Sequence, residues 1–337
     1  MLDKNRKPWI DYVKFFSMML VIFYHTPPRL ETLDEVIVFN LRMPVFFCMS
    51  GFLFNIGKYN TFGKYVKRRI KQIIVPYVVF FAVFYPLWLL AGRALMGEQA
   101  IDALTPLYEF VTGQPNVVVA TFWYLACLFT MQLIYYWLRR WLPGLWPLVA
   151  SVAMSLALHI TPDTPLLGWW NLDQALRFMP LYAFGDVARG YIDRVRFDGW
   201  RQSLTIVALA VAGVAGLLWL RHNVSAEWWY LLQVETALLL LPLVLATFKA
   251  MASHLPPSQT VQNVVITGTI YLGLQNYFIG AIKILLAHLC GPAVFDEHVW
   301  LKAVVALVVL VAIYPVAVFI NRHAPWVLGK GPLFDRL

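Results

Sequence analysis

Charge is what this chain has least of. Asp, Glu, Lys and Arg make up 13% of its 337 residues, against 60% hydrophobic ones. A water-soluble protein of this length could not cover that much apolar surface. The shortage therefore excludes the pair of soluble domains that length alone would suggest. Cysteine is scarce too. Cys48, Cys127 and Cys290 are odd in number, widely spaced and in or beside apolar runs, which excludes a disulfide framework and a zinc pattern. There is no Walker loop, dinucleotide fingerprint or HExxH pair, no internal repeat of about 20–50 residues, and no pair of matching halves of the transporter kind. The strand-like alternation of an outer-membrane barrel is also missing.

What the chain has is repeated apolar runs of about 20 residues, long enough to cross a bilayer as helices. Its mean hydropathy is +0.65. The expectation is an all-α integral membrane protein, one polytopic domain over residues 1–337. Ten spans are predicted, at roughly 9–26, 36–56, 73–91, 117–138, 145–160, 175–190, 203–220, 229–248, 264–287 and 299–320. The start, Lys4-Arg6-Lys7 and then apolar, looks like a signal peptide. Asp11 and Lys14 interrupt its core and no small-residue cleavage site follows, so an uncleaved first span is expected.

Basic residues are segregated, which orients the spans. With the N-terminus in the cytoplasm, nineteen of the 27 Lys and Arg fall on the cytoplasmic side. They are Lys4, Arg6 and Lys7; Lys58, Lys64, Lys67, Arg68, Arg69 and Lys71 in the link 57–72; Arg139 and Arg140; Arg189, Arg194, Arg196 and Arg201; Lys249; and Arg322, Lys330 and Arg336. Three, Arg29, Arg93 and Arg221, fall outside. Lys14, Arg42, Arg177, Lys283 and Lys302 fall within spans. This asymmetry predicts both termini in the cytoplasm. It also accounts for the net charge of +9 without a nucleic-acid partner.

The first span, PWIDYVKFFSMMLVIFYHTPP, holds Asp11, Lys14 and His25. Ionisable groups at membrane depth are costly and usually face a bundle interior or wet cavity. Lys14 and His25 are eleven residues apart, so on a helix they share a face about 16 Å apart, with Asp11 one turn from Lys14 as its pair. Arg42, Arg177, Glu235 and Lys283 fall in the outer parts of other spans. For Lys302, Lys283 and Arg177 two readings stand, snorkelling to an interface or a functional role. Glu235, Arg42 and Lys14 lie more than a turn from any charged link and fit snorkelling less well. Five of seven histidines, His25, His159, His222, His288 and His298, fall near the outer face, so His25 is either interfacial or catalytic. Ser50 lacks a nucleophile elbow, and Cys48 suits a small buried hydrophobe.

Three stretches resemble a known family. WIDYVKFFSMMLVIFYHT carries Lys14 and, eleven positions on, His25. FNLRMPVFFCMSGFLF carries the block Met43 to Phe52, and YVKRRIKQIIVPY ends in Pro-Tyr at Tyr77. In this order they resemble the acyltransferase-3 family, its fucose-4-O-acetylase-like branch in particular. Weaker echoes are Phe122–Leu125, Pro180–Gly185 and Ile270–Leu272. The chain departs from the family pattern at Arg42 and at Gln275 and Asn276, where the family often has His.

The resemblance implies a ten-span enzyme of the bacterial cytoplasmic (inner) membrane. It would take an acyl group, acetyl first among candidates, from cytoplasmic acyl-CoA. It would pass it to a hydroxyl of a glycan or lipid-linked saccharide at the outer face, with His25 catalytic and Lys14 its partner. No metal is expected, and the oligomeric state and acceptor are left open. On this reading His25 is a general base, or forms a covalent acyl-histidine. Arg42 or Lys14 steadies the oxyanion. Trp123 and Tyr124 stack on a sugar ring or belong to an interfacial aromatic belt, and Arg177 and Glu235 add polar contacts to substrate. The donor phosphates would meet Lys67, Arg68, Arg69 and Lys71; Lys64, Lys67, Arg68 and Lys71 share a helical face. The competing reading of that cluster is topological. The rival function is a transporter or flippase of lipid-linked sugars, without acyl-transfer chemistry.

Overall fold

A computed structural model describes residues 6–30, 32–95, 97–158, 165–195, 199–252, 254–291, 293–331 and 334. Lys4, His159, Arg196 and Arg336 lie outside the described residues. Within them all regular structure is helical. Ten longer helices lie where spans are expected: α1 Pro8–His25, α2 Leu33–Phe52, α3 Phe62–Gly92, α4 Trp123–Trp141, α5 Trp146–Leu158, α6 Leu172–Arg194, α7 Trp200–Asn223, α8 Ala226–Ala252, α9 Gly268–Cys290 and α10 Leu301–His323. Six are long and apolar enough to cross a membrane by length and composition: α2, α3, α7, α9, α10 and, within α8, Leu232–Ala252. α5 is apolar but has 13 residues. The others, α1, α4 and α6, carry buried polar side chains, Asp11, Gln132, Arg177 and Asp186 among them.

Surroundings explain the difference. All 24 residues of α7 lie outside the core, and none is buried, as suits a helix against lipid. α6 is the reverse. It packs against α2, α4, α5 and α8 and buries ten residues. Its contact with α2 is set by glycine. A Cβ on Gly51 would fall on the Tyr182 carbonyl oxygen, and one on Gly185 on the Cys48 carbonyl oxygen. The two glycines bring the backbones together from both sides, as small residues do where helices associate in membranes.

Two proline effects shape the site. In α2 the helix breaks at Arg42, with φ −95° and ψ −92°. Pro44 has no N–H, and its ring clashes with a helical carbonyl four residues back, at Asn40. The break turns Arg42 out of the α2 register. In α3 the ladder widens to a π turn over Ile70–Ile74, just before Pro76. The basic segment expected as a link is helical from Phe62 onward. The Thr61 hydroxyl accepts from the Lys64 N–H at 3.3 Å. Phe62 packs on Tyr136 and Trp137, and the Tyr65 hydroxyl donates to the Gln132 carbonyl at 3.2 Å. These anchors to α4 hold the first turns of α3 as helix despite their charge.

Because the α2–α6 contact admits no Cβ, Gly185→Ala forces two buried backbones apart. It should lower stability by about 1–3 kcal/mol, read as a fall in thermal midpoint in detergent. Gly190→Ala on the same helix, where nothing lies within 4 Å, should leave the midpoint unchanged or slightly raised.

Candidate active site

The last turn of α1 places His25. Its Nδ1 lies 2.7 Å from the Val21 carbonyl oxygen. A carbonyl only accepts, so Nδ1 carries the proton, and a neutral ring then has a free lone pair on Nε2. His25 lines a cavity of about 140 Å³ together with Tyr24, Arg42, Thr121, Trp123 and Tyr124. The Thr121 hydroxyl donates to the Leu272 carbonyl at 2.6 Å and ties the start of α4 to α9 at the cavity edge.

Arg42 reaches this cavity because of the break in α2. Its guanidinium stacks on the Tyr24 ring, 3.7 Å from the ring centre, and Arg29 stacks on the same ring at 4.0 Å. Tyr24 is thus held between two cations, with its ring centre 5.3 Å from that of His25. Arg42 is buried, and its Nε has no hydrogen-bond partner.

The turn after His25 is held by Lys302 of α10. Its ammonium donates to the carbonyls of Thr26 and Pro28, both at 2.8 Å, and pairs with Asp34 at 3.4 Å. Asp34 also accepts from the Leu30 N–H at 3.0 Å. Lys302 is only 1% exposed, so the snorkelling reading fails for it. The ammonium is turned inward because three oxygens satisfy it there.

Lys14 lies apart from His25. It lines a second cavity, about 410 Å³, at the other end of α1, with Arg6, Lys7, Asp11, Lys58 and Arg189. Asp11 pairs with Arg6 at 2.5 Å, not with Lys14. The shared face is real, but the rise of about 1.5 Å per residue along the helix keeps Lys14 from acting on the same atom as His25. Of the two expected oxyanion candidates, only Arg42 lines the His25 cavity. The basic cluster is divided as well. Lys67 and Arg68 are exposed. Arg69 donates to the Tyr59 hydroxyl at 2.9 Å, and Lys71 donates to the Phe334 carbonyl. The π turn intervenes between Arg68 and Lys71, so the even face expected of a regular helix is interrupted.

Of the candidate acceptor contacts, Trp123 and Tyr124 line the His25 cavity. Arg177 and Glu235 do not. Arg177 donates to the Tyr230 carbonyl at 2.7 Å and stacks on that ring at 3.8 Å. The Ser155 hydroxyl lies 3.1 Å from the Arg177 carbonyl and 3.5 Å from Glu235, so these groups join α5, α6 and α8. Gln275 is wholly buried one turn from Leu272, with both amide atoms unpartnered. Lys283 is exposed, as snorkelling expects. Sequence reasoning missed Tyr24, Thr121, Asp34 and Lys302 as parts of the site. Only Lys302 carried a signal, a lysine inside an apolar run. Among the described residues no group of three or more His, Cys, Asp or Glu is placed to hold a metal ion.

Comparison with known proteins adds a family. A family model described as an acyltransferase domain matches residues 7–322. The chain is 29% identical over 208 residues to the Inner membrane protein YcfT of Escherichia coli (strain K12), covering 54% of this chain and 56% of that protein. The chain thus spans little more than half the length of that relative. No solved structure matches it.

The Lys302 clamp makes a specific prediction. Lys302→Met leaves Asp34 buried without its cation and should cost about 3–5 kcal/mol. Lys302→Met with Asp34→Asn removes the stranded charge and should recover part of that loss. A thermal-unfolding cycle over the four proteins checks it, and equal losses in the single and double variants would contradict the pairing.

Proposed function

The chain belongs to the acyltransferase-3 family, and on that premise we propose that it is a membrane O-acyltransferase using cytoplasmic acyl-CoA. Acetyl is the first candidate group, and a hydroxyl of a glycan or lipid-linked saccharide at the outer face is the acceptor. The observation that carries the reading is His25 itself, with Nδ1 spent on the Val21 carbonyl and Arg42 on the same small cavity. Nε2 takes the proton from the acceptor hydroxyl. The oxygen attacks the thioester carbonyl, and Arg42 steadies the oxyanion in a site with little water. The intermediate collapses, the C–S bond breaks, and the imidazolium returns its proton to the leaving thiolate. Direct transfer needs no covalent acyl-histidine.

The donor side of the proposal lies at the other end of α1. The second cavity carries five basic side chains against one carboxylate, a setting suited to phosphates. Lys67 and Arg68, exposed on α3, extend the positive surface. Lys14 then acts on the donor, with the thioester arm running along α1 over about 16 Å toward His25. Ten spans with both termini in the cytoplasm fit the basic asymmetry, and the relative's inner-membrane name supports the bacterial cytoplasmic membrane as the location. The polar side chains of α1, α4 and α6 face the bundle, so their lower apolarity does not prevent crossing.

Four measurements test this. Purified protein in detergent should release free thiol from acetyl-CoA in the presence of acceptor, whereas a transporter or flippase would not. His25→Ala should lower that rate by about 10²–10⁴-fold while inserting normally. Near-normal turnover would remove His25 from the chemistry. Lys14→Ala should raise the KM for donor more than it lowers kcat, and folding should persist because Asp11 keeps Arg6. For topology, a cysteine at Lys58 should resist an impermeant thiol reagent in intact cells and one at Gln99 should react. The reverse pattern would overturn the orientation.

A further inference from the structure

A third cavity, about 200 Å³, adjoins the His25 cavity and shares Tyr24 and Arg42 with it. Its other walls are Arg29, Asp34, Glu35, Phe39 and Gln233. A cavity of about 150 Å³ can take benzene, so this one has room for a substituted six-membered ring. Its polar groups are only partly used within the protein. Asp34 is 4% exposed and its Oδ1 has no partner, the other oxygen being taken by Leu30 and Lys302. Arg42 is 8% exposed and its Nε has none. The Gln233 side chain makes no hydrogen bond among the described residues, and Glu35 is paired with Arg221 at 2.9 Å. Buried polar groups without partners are costly, and such a set on a cavity wall marks where a ligand completes the bonding.

We propose that this cavity is the acceptor subsite and that it takes the ring of a neutral saccharide. The proposal rests on the acyl-transfer reading for the ligand's role as acceptor. The binding chemistry stands on the walls alone. Asp34 supplies a fixed hydrogen-bond acceptor, Arg42 a fixed donor and Gln233 one of each, which matches ring hydroxyls that both give and receive. Phe39 adds aromatic surface for the C–H face of a sugar. A ring seated here meets the His25 cavity at the wall formed by Tyr24 and Arg42. A hydroxyl on that side is the one presented to Nε2. Tyr24, locked between Arg29 and Arg42, thereby sets which position of the ring reaches the base.

The test uses the full-length protein in detergent micelles with no acyl donor. Saturation-transfer NMR is run against a panel of neutral methyl hexopyranosides, with methyl glucuronoside as the charged control. At least one neutral hexoside should bind. Gln233→Leu and Phe39→Leu, each checked for an unchanged thermal midpoint, should weaken it by tenfold or more. His25→Ala should bind it as wild type does while losing acetyl-CoA consumption, because His25 lies outside this cavity's walls. No hexoside binding, binding that ignores both Gln233→Leu and Phe39→Leu, or tighter binding of the glucuronoside than of every neutral hexoside each overturns the proposal. Hexoside binding that depends on Gln233 in a protein that never consumes acetyl-CoA keeps the subsite and removes the acyl-transfer reading.

Discussion

A charge in the interior of this bundle stays only where several oxygens or a counter-ion meet it, and the Lys302 ammonium is the point on which the site depends. Burying an isolated ammonium is prohibitive. Burying one between the Thr26 and Pro28 carbonyls and Asp34 is tolerable, and the arrangement is rigid because each partner is fixed in its own element. Through that contact α10 holds the turn directly after His25. The same Asp34 is tied to Leu30, so the chain leaving α1 is fastened at three places before α2 begins. The imidazole inherits its position from this fastening as much as from its own bond to Val21.

The second constraint is close approach. Gly51 and Gly185 let α2 and α6 touch backbone to backbone, and the break at Arg42 lies on α2 nine residues before Gly51. With one end of α2 seated against α6 and the other tied through Asp34, the broken turn between them has little freedom. Arg42 is therefore held over the Tyr24 ring. Tyr24 and Arg42 thus line both cavities, and Arg29 lines the second of them. The site is assembled from α1, α2, α4, α9 and α10, and no two of these would form it alone.

Much of the fold was legible in sequence. The ten apolar runs fall on ten helices, since a run of that length must satisfy its backbone internally. The boundary at 57–72 was misread because charge was taken as the mark of a link, whereas Phe62 and Tyr65 anchor the segment to α4 as helix. In sequence Trp123 and Tyr124 read either as a sugar platform or as an interfacial belt, and the fold puts both on the cavity that His25 lines. The pairing of Asp11 with Lys14 was not borne out: spacing along one helix gives neighbours, but Arg6 comes from the turn before the helix and reaches the carboxylate first.

What the sequence by itself determined is the class of solvent and where the helices run. Composition requires a bilayer, and run length sets the helices. The eleven-residue spacing puts Lys14 and His25 on one face and, by the helical rise, at two separate places. What only the tertiary structure decided is which buried polar groups meet. Lys302 and Thr26 are far apart in the chain, and so are Glu35 and Arg221. Short-range patterns carry no information on such pairs, because a polar group in an apolar interior takes whichever partner packing brings within hydrogen-bond reach. Arg177 and Glu235 look like site residues in sequence for the same reason that Lys302 looks like a surface one. Apolar run length is written in the chain locally, but direction around the bundle is settled by which helices pack together.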